Sequence, residues 1–246
     1  MNTTSKNPPT SVVAGDYLSY YSRLNDLTPE GRRLHWPDYR RIYAPFLPKN
    51  KKARIVDIGC GAGQFMEWLE QDLGYENVQG IEMDAHMVAF AAECAIDGIE
   101  VCDLRAWRVQ GTFDCIILKD VLEHIPTGEQ IEALRLLAGK LAPDGCLIVR
   151  VPNANSTFAT RHLFIDPTHY RSYSEHSLRS ELERTGFSRI EIHGDDVWVP
   201  QSPKGVLRLG VKLLVRAFRR LEAAAEYGRE GLSMPLSLNL VAVARR

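Results

Sequence analysis

A doubly wound α/β fold with a mostly parallel sheet is predicted by three observations. Strand-like and helix-like apolar segments alternate from residue 53 to about residue 194, at the spacing of parallel strands joined by right-handed helical crossovers. The runs DCIIL and CLIVRV are apolar throughout rather than alternating, as strands covered on both faces are. The first strand opens into a three-glycine loop, IVDIGCGAGQF (55–65), where open sheets bind their ligands. With 246 residues the chain can bury one sizeable core.

The elements follow in order. Residues 1–15 are polar and rich in Pro, Thr and Ser, and are expected to be a disordered tail. Residues 16–50 form an aromatic-rich segment of two or three short helices ending at Pro45 and Pro48. Tyr17, Tyr20, Tyr21, His35, Trp36 and Tyr39 either close over a ligand as a lid or pack on the sheet as a layer. ARIVDIG (53–59) is a strand, QFMEWLEQDLG a helix and NVQGIEM (77–83) a strand. HMVAFAAECAIDG is a helix, IEVCDL a short strand and FDCIILKD (113–120) a strand. EQIEALRLLAGKLAPDG is a helix closed by its last glycine, and GCLIVRVPN (145–153) is the fifth strand. SEHSLRSELERTG is a helix with Ser174 as N-cap and Gly186 as stop. SRIEIHG (188–194) and SLNLVAVARR (237–246) are the last two strands, separated by a helical insertion at about 198–235.

Composition excludes several classes. A formal net charge of −1 gives no broad nucleic-acid footprint. The five cysteines form no CxxC pair and read as reduced thiols. No apolar run approaches the ~20 residues that span a bilayer, and the N-terminus has no signal architecture. A cytoplasmic protein is expected, at most peripheral at the inner face of a membrane.

The glycine loop narrows the ligand. A Walker phosphate loop ends in Gly-Lys-Ser/Thr, whereas this one ends Gly63-Gln64-Phe65. A dinucleotide fingerprint needs a small residue where Gln64 stands. The motif DIGCGAG instead resembles that of the class I S-adenosylmethionine (SAM)-dependent methyltransferases: an acid, one apolar residue, then G-x-G-x-G. DVLEHIP (120–126) after the fourth strand is similar to the branch holding ubiquinone-pathway O-methyltransferases and enzymes that modify bacterial sugars and polysaccharides. The resemblance covers 53 to about 190 and the final strand.

It implies a Rossmann-like, seven-stranded sheet whose last strand inserts antiparallel between the fifth and sixth, within a methyltransferase domain spanning 51–246. SAM is the implied cofactor. Gly59, Cys60, Gly61 and Gly63 would offer bare backbone to its amino-acid end. Asp57 would organise the turn or reach the ammonium. Glu82, followed by Met83, would accept the ribose hydroxyls. Asp103 and Leu104 would meet the adenine, and Lys119 would lie beside the SAM amino group. Asp84 reads as the cap of the helix that follows.

Methyl transfer to a hydroxyl needs a base near neutral pH, and histidine is the usual choice. His124 follows the fourth strand and His169 lies in IDPTHYRSYS (165–174). Around them, Asp166, Tyr170, Arg171 and Tyr173 offer polar groups for a hydroxyl-rich acceptor, or build a turn that packs the loop. Asp120, Glu123, His124, Asp166 and His169 carry metal-capable groups at spacings of no standard metal motif, and no metal is predicted.

PKGVLRLGVKLLVRAFRRLEAAAEYG (203–228) is a basic amphipathic helix able to lie on anionic lipid or grip an acidic partner. It also reads as an active-site cover or a homodimer contact. The expected activity is O-methylation of a sugar hydroxyl in bacterial glycan synthesis. The alternatives are a quinone or small-aromatic O-methyltransferase and a catalytically silent SAM-binding partner protein.

Overall fold

The computed structural model describes residues 14–24, 26–195 and 202–246. The expected tail lies almost wholly outside these residues, as does the side chain of Tyr17. Three helices lead in: α1 (Ala14–Leu24), α2 (Pro29–Arg33) and α3 (Trp36–Ile42). Then β1 (Arg54–Ile58), α4 (Gln64–Glu67), β2 (Asn77–Glu82), α5 (Ala85–Glu93), β3 (Ile99–Val101) and β4 (Phe113–Lys119) alternate. They are followed by α6 (Gln130–Gly139), β5 (Leu141–Pro152), α7 (Ala159–Ile165), α8 (Glu175–Glu183) and β6 (Arg189–Gly194). The chain ends with α9 (Pro203–Tyr227), α10 (Arg229–Ser233) and β7 (Asn239–Arg245). No helix among the described residues is long and apolar enough to cross a membrane.

The strands form one sheet in the order β3-β2-β1-β4-β5-β7-β6. All pairs are parallel except those of β7, which runs antiparallel to both β5 and β6. This is the Rossmann-like topology that the resemblance implied. Alternate residues of each central strand sort to opposite faces, as a period of two demands. Val56, Ile116, Leu147 and Ala242 face Leu134 and Leu137 of α6 and Leu178 and Leu182 of α8. Ile55, Ile117, Ile148 and Val243 face Phe65, Trp68 and Tyr43. Asp57, Lys119 and Arg150 share the parity of this second face, so its open end carries the charged residues of the site.

Two elements depart from expectation. The helix read as closing at Gly145 ends at Gly139, and LAPDG is already strand, with Leu141 paired to Phe113. Pro143 lacks an N–H and pushes the preceding residue out of the α region, so the helix cannot run through it. The segment after α4 winds as a π-turn over Trp68–Asp72, which seats the fully buried Trp68 while its indole N–H donates to Asp72 at 2.9 Å. Ser174 and Asp84 cap α8 and α5.

Candidate active site

After β1 the chain turns through Gly59, Gly61 and Gly63, with φ of +65°, +55° and +71°. An L-residue in this region costs roughly 1–2 kcal/mol. The three glycines are not equivalent. A Cβ at Gly59 would stand 2.5 Å from Val121 Cγ2, and one at Gly63 2.7 Å from Ile96 Cγ2. A Cβ at Gly61 would meet only the mobile tip of Met87, at 3.2 Å. Gly59 and Gly63 are therefore held small by the protein itself, and Gly61 is the one that bares backbone outward. Gly59→Ala is expected to lower the melting temperature by several degrees more than Gly61→Ala in a thermal scan. Gly61→Ala is expected instead to weaken SAM binding by calorimetry.

Glu82 ends β2 and braces this loop, its Oε2 accepting from Gly61 N and its Oε1 from Asp84 N, each at 2.9 Å. Each oxygen keeps a lone pair for a further donor. Met83 beside it is exposed. Asp57, only 3% exposed, lies behind the loop. Burial pushes its carboxyl up to about 7; Lys119 opposes the rise, while Glu82 and Asp120 add to it. A ligand bringing a cation to Asp57, paired hydroxyls to Glu82 and no bulk to Gly61 fits these residues. The amino-acid and ribose parts of SAM meet all three conditions. Burial raises the Cys60 thiol far above its usual range, so it contributes shape rather than reactivity.

Asp103 is more committed than the sequence suggests. Its carboxylate takes Arg105 through Nη2 at 2.5 Å, Nε at 3.0 Å and the backbone N–H at 2.8 Å. Arg105 also reaches Glu129 at 2.9 Å. Hydrogen bonding to Arg105 holds the Asp103 carboxyl below its ordinary range. Leu104 packs, partly buried, against the core.

At the exit of β4, Asp120 adopts φ of +58°, a left-handed conformation unusual for a side-chain-bearing residue. Its carboxylate takes Arg150 of β5 at 2.5 Å and Lys119 at 3.1 Å. Although burial opposes its ionisation, these two cations hold it far below the usual range. Arg150 continues to Asp195 at 2.9 Å, and Asp195 accepts from Asn239 Nδ2 at 2.6 Å. The network ties the ends of β4, β5, β6 and β7 together. The sequence reading passed over Arg150 and Asp195, although a cation inside the apolar run CLIVRV was the available signal.

Beside this network the two predicted histidines meet, their ring centroids 4.5 Å apart. His169 Nδ1 lies 2.7 Å from the carbonyl of His162, a residue that the sequence reading also missed. A carbonyl only accepts, so Nδ1 carries the proton and Nε2 keeps its lone pair. His124 Nδ1 lies 2.7 Å from Thr168 Oγ1, which donates to Asp166 Oδ1 at 2.5 Å. The threonine proton is thereby used, and His124 too is fixed with a free Nε2. Burial, and then His169, lowers the pKa of His124, so it is neutral at pH 7. Glu123, His124 and His169 offer ligand-type atoms within 4.8 Å of one another, and Glu123 Oε2 is buried without a hydrogen-bond partner among the described residues.

The residues expected to grip an acceptor divide. Asp166 is buried and holds the Thr168 turn, with Oδ1 accepting from its N–H at 2.9 Å. Arg171 pairs with Glu181 at 2.7 Å and stacks on Tyr173. Tyr173 itself is wholly buried within the α6/α8 side of the core, so the expectation that it meets an acceptor is corrected. The two tyrosines lie close along the chain in HYRSYS, but backbone pairing of Tyr173 with Asn153 turns it inward. Tyr170 remains exposed. Above the site α1 is tied at two points: Tyr21 Oη donates to Gln64 Oε1 at 2.8 Å and Tyr20 Oη to the Ile165 carbonyl at 2.5 Å.

Helix α9 completes one wall. A cleft of about 500 Å³ lies between it and the ends of β5 and β7. Lys212, Arg216 and Arg219 line the cleft, while Leu207, Leu214, Phe218 and Leu221 stand exposed on the far side. Lys212, Arg216 and Arg219 are thus turned toward the cleft, while Arg208 stays exposed.

Comparison with known proteins agrees with this geometry. Residues 32–192, more than half of the chain, match the model of a family described as a methyltransferase domain. Trans-aconitate 2-methyltransferase of Mycobacterium tuberculosis (strain ATCC 25177 / H37Ra) is 30% identical over 99 residues, 40% of this chain and 37% of that protein. The enzyme of the same name from Rhizobium leguminosarum bv. trifolii is 28% identical over 109 residues, 44% of this chain and 41% of its own. The chain thus spans about two fifths of the curated relatives it matches. In fold it is similar to a SAM-dependent methyltransferase from Archaeoglobus fulgidus, with a TM-score of 0.66 and 20% identity, covering 94% of this chain and 100% of that one. It is also similar to a Haemonchus contortus phosphoethanolamine N-methyltransferase 2 solved with S-adenosyl-L-methionine, with a TM-score of 0.61 and 18% identity over 97% of this chain and 61% of that one. Glycine loop, strand order and family match agree: the chain belongs to the methyltransferase-domain family, within the class I SAM-dependent superfamily.

Proposed function

We propose that the protein transfers a methyl group from SAM to an oxygen of a hydroxyl-rich acceptor, a sugar hydroxyl in bacterial glycan synthesis. The observation that supports this most is the histidine pair, two rings 4.5 Å apart whose Nδ1 atoms are each hydrogen-bonded, with His124 three residues after the Val121 that packs on Gly59. SAM, when bound, supplies a methyl group on an electrophilic sulfonium. The chain's residues do the rest. Gly61 and Glu82 fix the donor end, Asp57 and Lys119 set the charge around it, and α1 restricts water. The His124–His169 pair takes the hydroxyl proton as the oxygen attacks, with Thr168 and Asp166 holding the His124 ring in register. Confinement of the two reactants can supply about 7–11 kcal/mol.

The test is turnover of labelled SAM against nucleotide sugars, lipid-linked glycans, quinone precursors and trans-aconitate, with and without EDTA. Label in a sugar hydroxyl, unaffected by EDTA, is the expected result. Label only in a quinone precursor would overturn the acceptor class. A loss in EDTA restored by a divalent cation would assign the Glu123–His124–His169 cluster to an ion rather than to the proton. The names of the relatives, with the basic cleft, favour a second reading, a carboxylate acceptor. A carboxylate has no proton to lose, so its methylation would survive His169→Gln.

Asp57 gives a separate prediction. Its pKa rises on folding from 3.8 to about 7, so its contribution to stability is full below pH 3.8 and is lost as pH climbs toward 7. An ammonium docked against it favours the carboxylate. Binding of S-adenosylhomocysteine at pH 6 is therefore expected to release up to about one proton. The check is calorimetry in two buffers of different ionisation enthalpy, and Asp57→Asn is expected to abolish the release.

A further inference from the structure

Helix α9 carries a heptad pattern on its outer side. Leu207, Val211, Leu214, Phe218, Leu221 and Ala225 recur at alternating intervals of four and three, the spacing that keeps one seam facing a partner helix. All six are exposed, the first five by 55–74%. The apolar stripe of a surface helix ordinarily faces its own core, and a long one left in solvent marks an interaction surface. The chain's own packing lies elsewhere on the helix. Ala223 is buried where α10 crosses, so closely that a Cβ at Gly231 would strike the Ala223 carbonyl. Arg219 donates to the Asn155 carbonyl, and Arg220 to those of Gly231 and Met234. At ~3.6 residues per turn these positions fall on the far side of the helix from the seam.

An anionic bilayer and another helix are the two occupants that suit an apolar stripe, and the charges favour the helix. A lipid-bound helix sets its cations along the polar face beside the buried stripe. Here Lys212, Arg216 and Arg219 are less exposed than the seam and turn toward the cleft, and the residues bordering the stripe include Glu222. The borders are instead self-complementary. Arg208, Val215 and Glu222 run along one of them and Gly210, Ala217 and Ala224 along the other, each at intervals of seven. In an antiparallel pair of identical helices each border meets its own copy. A two-fold axis near the middle of the stripe sets Val215 against itself and Arg208 against Glu222, twice over. On the other border it sets Ala217 against itself and Gly210 against Ala224, small residues that admit close approach. Between the borders Leu207 meets Ala225, Val211 meets Leu221 and Leu214 meets Phe218, so every side chain of the seam is covered.

We propose that α9 pairs antiparallel with α9 of a second copy, making the protein a two-fold symmetric homodimer. The inference goes beyond the methyltransferase reading and takes nothing from it. The apolar layers supply the affinity. The ion pairs set the register, since exposed pairs add little strength and Arg208 also interacts within its own chain. Val211 and Val215 stand at the rim of the cleft as well as at the seam, so the second copy lies along the cleft mouth.

The experiment is sedimentation velocity of the full chain over a concentration series, with circular dichroism and S-adenosylhomocysteine affinity as controls on the fold. The parent is expected to sediment as a dimer. Leu214→Asp is expected to raise the dissociation constant by roughly 100-fold or more, because the symmetry buries the added charge twice, while both controls stay unchanged. Glu222→Arg sets like charges together at both ends of the pair and is expected to weaken the dimer by roughly tenfold at low salt. Arg208→Glu combined with Glu222→Arg is expected to restore it. A parent that stays monomeric throughout the series removes the second copy. A dimer untouched by Leu214→Asp lies on another surface, and one indifferent to Glu222→Arg has a parallel or shifted register. Each of these overturns the proposal, as does a monomeric parent that floats with vesicles of phosphatidylglycerol and phosphatidylethanolamine, which would give the face to lipid.

Discussion

His169→Gln lowers kcat by about 10²–10⁴, the usual contribution of a positioned base, while S-adenosylhomocysteine binds as in the parent. His124→Gln does the same. The double variant falls little further, because the two rings, 4.5 Å apart, act on one proton. Thr168→Val gives a smaller loss of a different kind. It removes the acceptor that fixes His124 Nδ1–H, so the ring remains but its tautomer is released. The pH profile separates positioning from bulk damage. A base works when neutral, and burial followed by His169 lowers the pKa of His124 from 6.5. The acid limb of kcat/KM therefore lies below pH 6.5 in the parent and moves lower still in Thr168→Val, where the imidazolium loses the acceptor of its Nδ1–H. The same depression favours the neutral folded form, so its stability contribution is present above pH 6.5 and is lost as pH falls through the lowered value. Unchanged turnover in His169→Gln with a sugar acceptor would remove this residue from the mechanism.

The sequence carried the frame of this molecule and part of the site. Strands such as DCIIL had no other stable home than a sheet covered on both sides, and D-x-G-x-G-x-G places three left-handed turns where only glycine is comfortable. What the sequence could not separate was which glycine serves the ligand. That depends on Val121 and Ile96, which reach the loop from distant positions. Proximity along the chain also misled at DPTHYRSYS. A pairing at Asn153 sends Tyr173 into the core while leaving Tyr170 out, and no local pattern records that pairing. Helix α9 shows the same limit in reverse. Its amphipathicity was plain, but the side facing the protein is fixed by tertiary contacts: Arg219 donates to the Asn155 carbonyl at 2.8 Å, and Arg220 to the carbonyls of Gly231 and Met234.

Arg32 marks how the N-terminal helices become part of the catalytic half of the fold, and its removal should be the most destabilising change in that layer. It is 2% exposed, its Nε donates to Glu67 Oε2 at 2.8 Å, and its Nη2 donates at 2.9 Å to the carbonyl of Ala62 inside the glycine loop. Glu67 is itself 5% exposed. Arg32→Ala strands that carboxylate in the interior, a loss of about 3–5 kcal/mol. Arg33, 3.6 Å from the other oxygen and largely in solvent, recovers only a part. At about 2–4 °C per kcal/mol for a chain of this length, the melting temperature falls by roughly ten degrees. The pair as a whole is worth much less than its halves suggest, because both charges had to leave water. Arg32→Met combined with Glu67→Leu is therefore expected to melt well above Arg32→Ala. It still binds SAM more weakly than the parent, since Ala62 loses its anchor and the loop around Gly61 is freed. A double-mutant cycle read by melting and by SAM calorimetry distinguishes the two roles. Stability returning together with full SAM affinity would reduce Arg32 to a packing residue with no hold on the loop.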